Sequence, residues 1–320
     1  MIEIFGPTYR YNGEILTKPE VLYVNDHHYQ EDTKQWHLKT LLENSAVDPK
    51  EHLIAFDHMH HDDVLKDYEH VCLPGYVTRE TQDFIDAKIQ PNINYKTHIF
   101  NFMINKPRLS RQLLLILIDK FKLKNFLYTL PWRTNPYSNL KPSSYKFGIK
   151  RQFDQGIQQG DINNAQTYIE LLQKNIFEPT CVSLITEPSF IEKETMHTEK
   201  TLMAIYSATL PIWVGGWRLA STLRDMGFDV FDDVVDHGYE TYDDPWDRAY
   251  YAIEKNIDLL RNFKRAESFI RYNRKRFRKN IRLVEQNPFR LVCETVRKNN
   301  PRVSTLWTDQ QSFTQVLGRE

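Results

Sequence analysis

The chain is short of features that would narrow its class at once. Its 320 residues include only three cysteines, Cys72, Cys181 and Cys293, odd in number and far apart. That excludes a disulfide framework and suggests a reducing compartment. Cys72 and Cys181 lie in apolar runs, where a cysteine fills core space. No apolar run approaches the length of a membrane span. The start, MIEIFGPTYRYNGE, lacks the basic opening and apolar centre of a signal peptide. The 42 basic and 42 acidic residues cancel, so overall charge names no partner. There is no internal repeat, no low-complexity tract and no Asp-x-Asp. The expectation is a soluble cytoplasmic protein, in the host cytoplasm if the chain is viral.

What is present argues for a folded α/β protein. The chain is 41% hydrophobic and 13% aromatic, too apolar for disorder. Its length allows a sizeable core and two domains. Val21–Val24, His52–Phe56 and Val71–Leu73 are short apolar runs of strand length. Thr97–Ile104 is dense in β-branched and aromatic residues, as strands are. Pro107 is placed to begin a helix, and Leu109–Leu123 is rich in Leu and Ile. Phe126–Leu130 reads as the next strand. Residues 131–162 hold many Pro, Ser, Asn and Gly and read as a linker or long loop. A helix is expected over Asn163–Asn175. From Val182 to Tyr242 the pattern is strand, polar loop, helix, strand, Gly turn, helix, strand. A helix from Asp244 to about Lys264 and a basic helix to about Glu285 follow. Such alternation predicts a mainly parallel sheet covered on both faces. The expected division is an acceptor-side domain over 1–150, a nucleotide-sugar domain over 151–265 and a basic helical segment over 266–320.

Ligands of parallel sheets bind beyond the carboxyl ends of the strands. The loop holding Glu187 leaves one strand at that end, and the Asn105–Arg108 loop leaves another. The helix after Glu187 opens on His197-Thr198-Glu199-Lys200. A helix start attracts anions, phosphates above all. A carboxylate beside an ammonium there suits a ligand carrying hydroxyls and phosphate. A simple helix cap with solvated charges would give the same pattern. Arg108 and Arg111 stand at the start of the Leu-rich helix, where basic residues oppose the helix dipole unless an anion binds.

The ordered series Glu187, Thr198-Glu199-Lys200-Thr201, Pro211-Ile212-Trp213-Val214-Gly215 and Leu223-Arg224-Asp225-Met226-Gly227-Phe228 resembles the donor-binding segment of fucosyltransferase-like glycosyltransferases. It is closest in style to uncharacterised glycosyltransferase-like proteins of large phages and viruses. Phe100–Arg111, a strand, an Asn, a Pro-Arg turn and a leucine-rich helix, resembles the same proteins. The resemblance covers residues 96–255. It implies the GT-B fold, two Rossmann-like domains facing a cleft, with the nucleotide sugar on the C-terminal one. It implies donor contacts by Glu199 and Lys200, with Thr198 at the helix start. The phage-type proteins resemble D-E-S-Y-D where this chain has Asp236-His237-Gly238-Tyr239, which makes Tyr239 a further donor candidate. The N-terminal third matches nothing in that pattern.

Glycosyl transfer requires stabilisation of a leaving nucleoside diphosphate. Lys200, Arg108 and Arg111 can supply it without a metal, and the missing Asp-x-Asp agrees with metal independence. No cofactor is expected beyond the nucleotide-sugar co-substrate. An inverting enzyme also needs a base. Asp26, Asp57 and His58 each follow a strand candidate and are the candidates. The cluster Asp57–Asp63 holds His58 and His61 at i, i+3, a spacing that metals also use. A polar loop after a strand explains it better.

Charge is unevenly spread. Residues 261–302 hold 14 Lys and Arg against 3 acids. Arg271, Arg274, Lys275, Arg276 and Arg278, interleaved with aromatics, are candidate nucleic-acid contacts. The acceptor stays open between a hydroxymethylated base in phage DNA, which would need such a surface, and a glycan or small molecule. The alternative is a non-catalytic nucleic-acid-binding protein that uses 261–302.

Overall fold

The computed structural model describes residues 8–11, 14–17, 21–24, 49–56, 59–60, 63–86, 93, 95–104, 109–129, 173–187, 190 and 193–303. The candidate bases Asp26, Asp57 and His58, the candidate donor residue Arg108, and the whole of 131–162 lie outside the described residues.

β1 (Thr8–Tyr11) and β2 (Glu14–Thr17) pair antiparallel. β3 (Val21–Val24) runs parallel to β4 (Leu53–Phe56). β5 (Met59–His60) pairs elsewhere, and β6 (His70–Cys72) flanks β4 to complete a three-stranded parallel sheet. All four residues of β4 are buried, because both faces of the strand are covered. Leu53 and Ala55 pack with Val21, Leu73, Cys293 and Val303, while Ile54 and Phe56 pack with Leu65. α1 (Gly75–Asp86) follows.

The main sheet is built from β7 (His98–Met103), β8 (Phe126–Thr129) after the helix α2 (Leu109–Lys120), β9 (Thr180–Ile185) and β11 (Leu210–Trp213). Between the last two strands come β10 (Glu194–Thr195), which pairs with β5, and α3 (Glu199–Tyr206). α4 (Leu219–Asp225) follows β11. All four strands are parallel, in the order β11-β9-β7-β8. The chain enters in the middle at β7, goes to one side for β8, then crosses to the other side for β9. The order therefore reverses between β7 and β9, which is where such sheets leave a crevice at their carboxyl ends.

The strand sequences explain the burial. One layer stacks Phe100, Phe102, Phe126 and Tyr128, with Phe100–Phe126 centroids 5.0 Å apart and Phe102–Tyr128 centroids 5.4 Å apart. The polar exceptions are satisfied. Asn101 Nδ2 donates to Thr180 Oγ1 at 2.5 Å and to Ser183 Oγ at 3.1 Å. At the amino end of the sheet, Lys96 Nζ donates to the carbonyls of Glu178 and Ser207 at 3.0 and 2.7 Å. Burial lowers its ammonium to about 8.

β7 and β8 thus share a sheet with β9 and β11, and a domain division at residue 150 separates strands that hydrogen bonds join. The expected strand after Gly227 does not form. Asn280 donates to Asp229 O at 2.7 Å and accepts from Asp229 N at 2.9 Å, so a side chain takes the backbone bonds a strand would offer. Phe231 also adopts a left-handed φ of 64°. Of the helix expected over 163–175, only the end is described, a π-helical turn over Gln173–Phe177.

The C-terminal part is five helices: α5 (Pro245–Glu254), α6 (Ile257–Arg261), α7 (Phe263–Tyr272), α8 (Arg274–Glu285) and α9 (Pro288–Asn299). The single helix expected from Asp244 to Lys264 breaks at Asn256. That amide accepts from Asp236 N at 2.9 Å and donates to Asp236 O at 2.9 Å, tying the break to a loop. The basic helix breaks at Asn273, whose side chain caps Phe269 O at 2.8 Å. The segment from 266 is no appendage. α7 packs under β7 and β9, and α9 packs on α1 and brings Cys293 to the first sheet.

Candidate functional site

Among the described residues three helices leave the carboxyl edge of the main sheet: α2 after β7, α3 after β9 and α4 after β11. Each presents free backbone N–H groups in its first turn. What occupies each start differs.

At α3 the chain supplies its own anion. Glu187, just past β9, has a side chain 1% exposed. Its Oε1 accepts from Thr198 N at 3.0 Å and Thr201 Oγ1 at 2.9 Å. Its Oε2 accepts from Thr198 Oγ1 at 2.5 Å and Lys200 Nζ at 3.2 Å. Trp213 Nε1 donates to Thr201 Oγ1 at 3.0 Å and extends the chain of bonds into β11. Lys200, with its side chain 5% exposed, also donates to Thr198 Oγ1 at 2.6 Å and Glu199 Oε1 at 3.3 Å. Glu199 is the open member, at 21%. Burial pushes its carboxyl up, but Lys200, a backbone N–H and Thr198 outweigh this and hold it below its ordinary value. So Glu187, Thr198, Glu199 and Lys200 do come together, as one network. In it Glu187 occupies the place expected for a ligand anion.

α4 is closed in the same way. Glu240, buried at 6% exposure, accepts from Ala220 N at 2.8 Å, Ser221 N at 3.0 Å and the Ser221 hydroxyl. The acidic loop 236–244 therefore turns inward. Tyr239 is 1% exposed, and burial raises its phenol well above its ordinary value. It belongs to the packing behind the loop, out of a ligand's reach.

α2 is different. Its first turn carries no acidic residue. Ser110 is 1% exposed, and its hydroxyl has no partner among the described residues. Arg111 beside it is 5% exposed. Across the crevice, Phe102 pairs with Leu184, so the same register sets Thr186 beside Ile104 at the end of β7. Thr186 is 1% exposed, and its hydroxyl also lacks a partner among the described residues. Buried hydroxyls normally find partners, and these two at the sheet's switch point find none among the described residues.

The rim beyond is held by Arg248, which is fully buried. It donates to Gly215 O at 2.9 Å, Phe190 O at 2.8 Å and Tyr242 O at 2.7 Å, joining three loops. Burial lowers its guanidinium to about 10. Gly215 has φ +99°, and a side chain there would run into the Phe190 ring. His197, 4% exposed, sits 6.1 Å from both the Trp213 and Phe289 rings. Neither of its ring nitrogens has a partner among the described residues, and burial lowers its imidazole to about 3, so it is neutral.

The candidate nucleic-acid residues separate. Arg276 is tied down, with bonds to Asp229 at 2.5 and 2.9 Å and to Asp233 at 2.8 Å. Arg274 is half-buried, while Arg271, Lys275 and Arg278 are exposed. Among the described residues no three His, Cys, Asp or Glu side chains cluster to hold a metal, and no helix is long and apolar enough to cross a membrane.

Sequence reasoning missed Ser110, Thr186, Glu240 and Arg248. The lack of acids after Pro107 was the one visible signal for the first. No protein-family model, curated protein or solved structure matches the chain.

Proposed function

We propose that the chain is a glycosyltransferase that moves a sugar from a nucleotide-sugar donor to a hydroxyl acceptor, within a GT-B-like arrangement. The observation that carries this reading is the start of α2. Among the described residues it is the one helix start of the three at this edge with no carboxylate of the chain seated on it, and it lies at the switch point with the Ser110 hydroxyl unpartnered among those residues. Backbone N–H groups, a hydroxyl and the adjacent Arg111 are what a diphosphate binds.

The donor's phosphates then lie at α2, and Glu199, the most open carboxylate of the α3 network, accepts hydroxyls of the ribose or sugar. Lys200 orients Glu199 and neutralises Glu187. Charge that develops on the leaving diphosphate meets preorganised donors, which stabilise it without reorganisation. The N-terminal candidates Asp26, Asp57 and His58 remain the proposed source of the base. The proposed reaction uses no metal.

Thermal shift against nucleoside diphosphates and nucleotide sugars, with and without EDTA, tests this. A ligand at about 100 times its dissociation constant adds roughly 2.7 kcal/mol. The expected result is a selective rise that survives EDTA and is lost in Arg111→Ala. No rise with any nucleotide overturns the reading.

A further inference from the structure

α8 buries Phe277, Asn280, Ile281 and Val284. Directly opposite, at i, i+3, i+4 and i+7, stand Lys275, Arg278, Lys279 and Arg282, all exposed. They span about 10 Å of helix at about 1.5 Å per residue. None of the four has an ion-pair partner among the described residues. No acid shares the helix with them before Glu285 at its last position.

Such a face is costly to leave bare. Like charges at i, i+3 and i+4 repel, and the first turn of α8 is basic with no acid to favour the dipole. Arg276 shows the contrast. It points to one side and is neutralised by Asp229 and Asp233. At the α7–α8 corner, Tyr272 is 79% exposed, with the Arg271 guanidinium 5.1 Å from its ring.

We propose that this outward face binds the phosphodiester backbone of a nucleic acid. A strand carries one phosphate per about 3.4 Å of axis, so about 10 Å presents three or four to the four cations. An interfacial membrane helix would need an apolar face to insert, and that of α8 is already buried in the core. A protein partner would want an apolar anchor, and the stripe has none. The open Tyr272 ring adds a stacking platform for an unpaired base. The proposal does not depend on the donor reading.

The test is fluorescence anisotropy of labelled 20-nucleotide single-stranded and duplex DNA with the full chain, without any sugar donor. Four phosphate contacts give a log–log salt slope of about −3.6 for duplex and about −2.8 for single strands, or a duplex affinity loss of about a hundredfold between about 50 and 200 mM salt. Replacing Lys275, Arg278, Lys279 and Arg282 together by Gln is expected to abolish binding at the lower salt, with circular dichroism unchanged and the urea midpoint equal or higher. Each single replacement is expected to reduce the slope by about one. Tyr272→Ala is expected to weaken single-strand binding alone. The proposal is overturned if neither DNA binds at low salt, if the fourfold variant binds as the native chain does, or if anionic vesicles bind and DNA does not.

Discussion

The starts of α3 and α2 leave the same sheet edge and invite the same ligand, yet they are chemically opposite. At α3, Glu187 accepts bonds from a backbone N–H, two hydroxyls and an ammonium. At α2, a buried hydroxyl has no partner among the described residues. A motif read as an anion site can thus be an anion site already filled by the protein. The charged tetrapeptide that stands out in the sequence holds the edge together, and among the described residues the quieter helix start is the one with no carboxylate seated on it.

Lys200→Met breaks this comparison hardest. If Lys200 serves chiefly to neutralise Glu187, its loss leaves a buried carboxylate uncompensated, at about 3–5 kcal/mol. The urea midpoint should fall sharply, and adding Glu187→Gln should restore much of it. A variant as stable as the native chain that binds no nucleotide would instead make Lys200 a ligand group, and the two helix starts would be alike.

His197 sharpens the same point through pH. Its folded value of about 3 lies below the ordinary 6.5, so between those values the unfolded chain binds a proton that the folded chain refuses. Stability therefore rises with pH across that window and is lost as pH falls below about 6.5. At pH 5 the loss from this one group is about 2 kcal/mol. In His197→Met this share of the acid loss should vanish, while stability at pH 7 changes by less than about 1 kcal/mol. An unchanged slope in urea melts between pH 7 and pH 5 would mean that the imidazole is partnered and the edge more open to water.

Much of this was legible in the sequence where signals are local. The apolar runs at 98–103, 126–129 and 180–185 are strands, and Pro107 with the leucines behind it foretells α2. What failed was non-local. The apolar residues at 228–231 look like a strand, but Asn280 takes their backbone bonds from a helix far along the chain. A Pro-rich stretch suggested a boundary near 150, yet β7 and β9 pair across it. Tyr239 reads as a donor contact on an open loop, but Glu240 draws that loop inward onto α4. The sequence distinguishes none of the cations in 271–282. Only the fold ties Arg276 to Asp229 and leaves Lys275 and Arg278 outside.

Ser110→Ala is the mildest change and the most discriminating one. A buried hydroxyl without a partner carries an unrecovered desolvation penalty, so replacing it by a methyl group should leave stability equal or about 1 kcal/mol higher. That is the reverse of Lys200→Met on the neighbouring helix. The same hydroxyl is expected to meet a ligand oxygen, and one hydrogen bond is worth about 0.5–1.5 kcal/mol. Nucleoside diphosphate affinity should then fall by about three- to tenfold in calorimetric titration. A gain in stability with a loss in affinity is the signature of a group kept for a ligand and not for the fold. A loss of both would mean that Ser110 has a structural partner, and α2 would be as closed as α3.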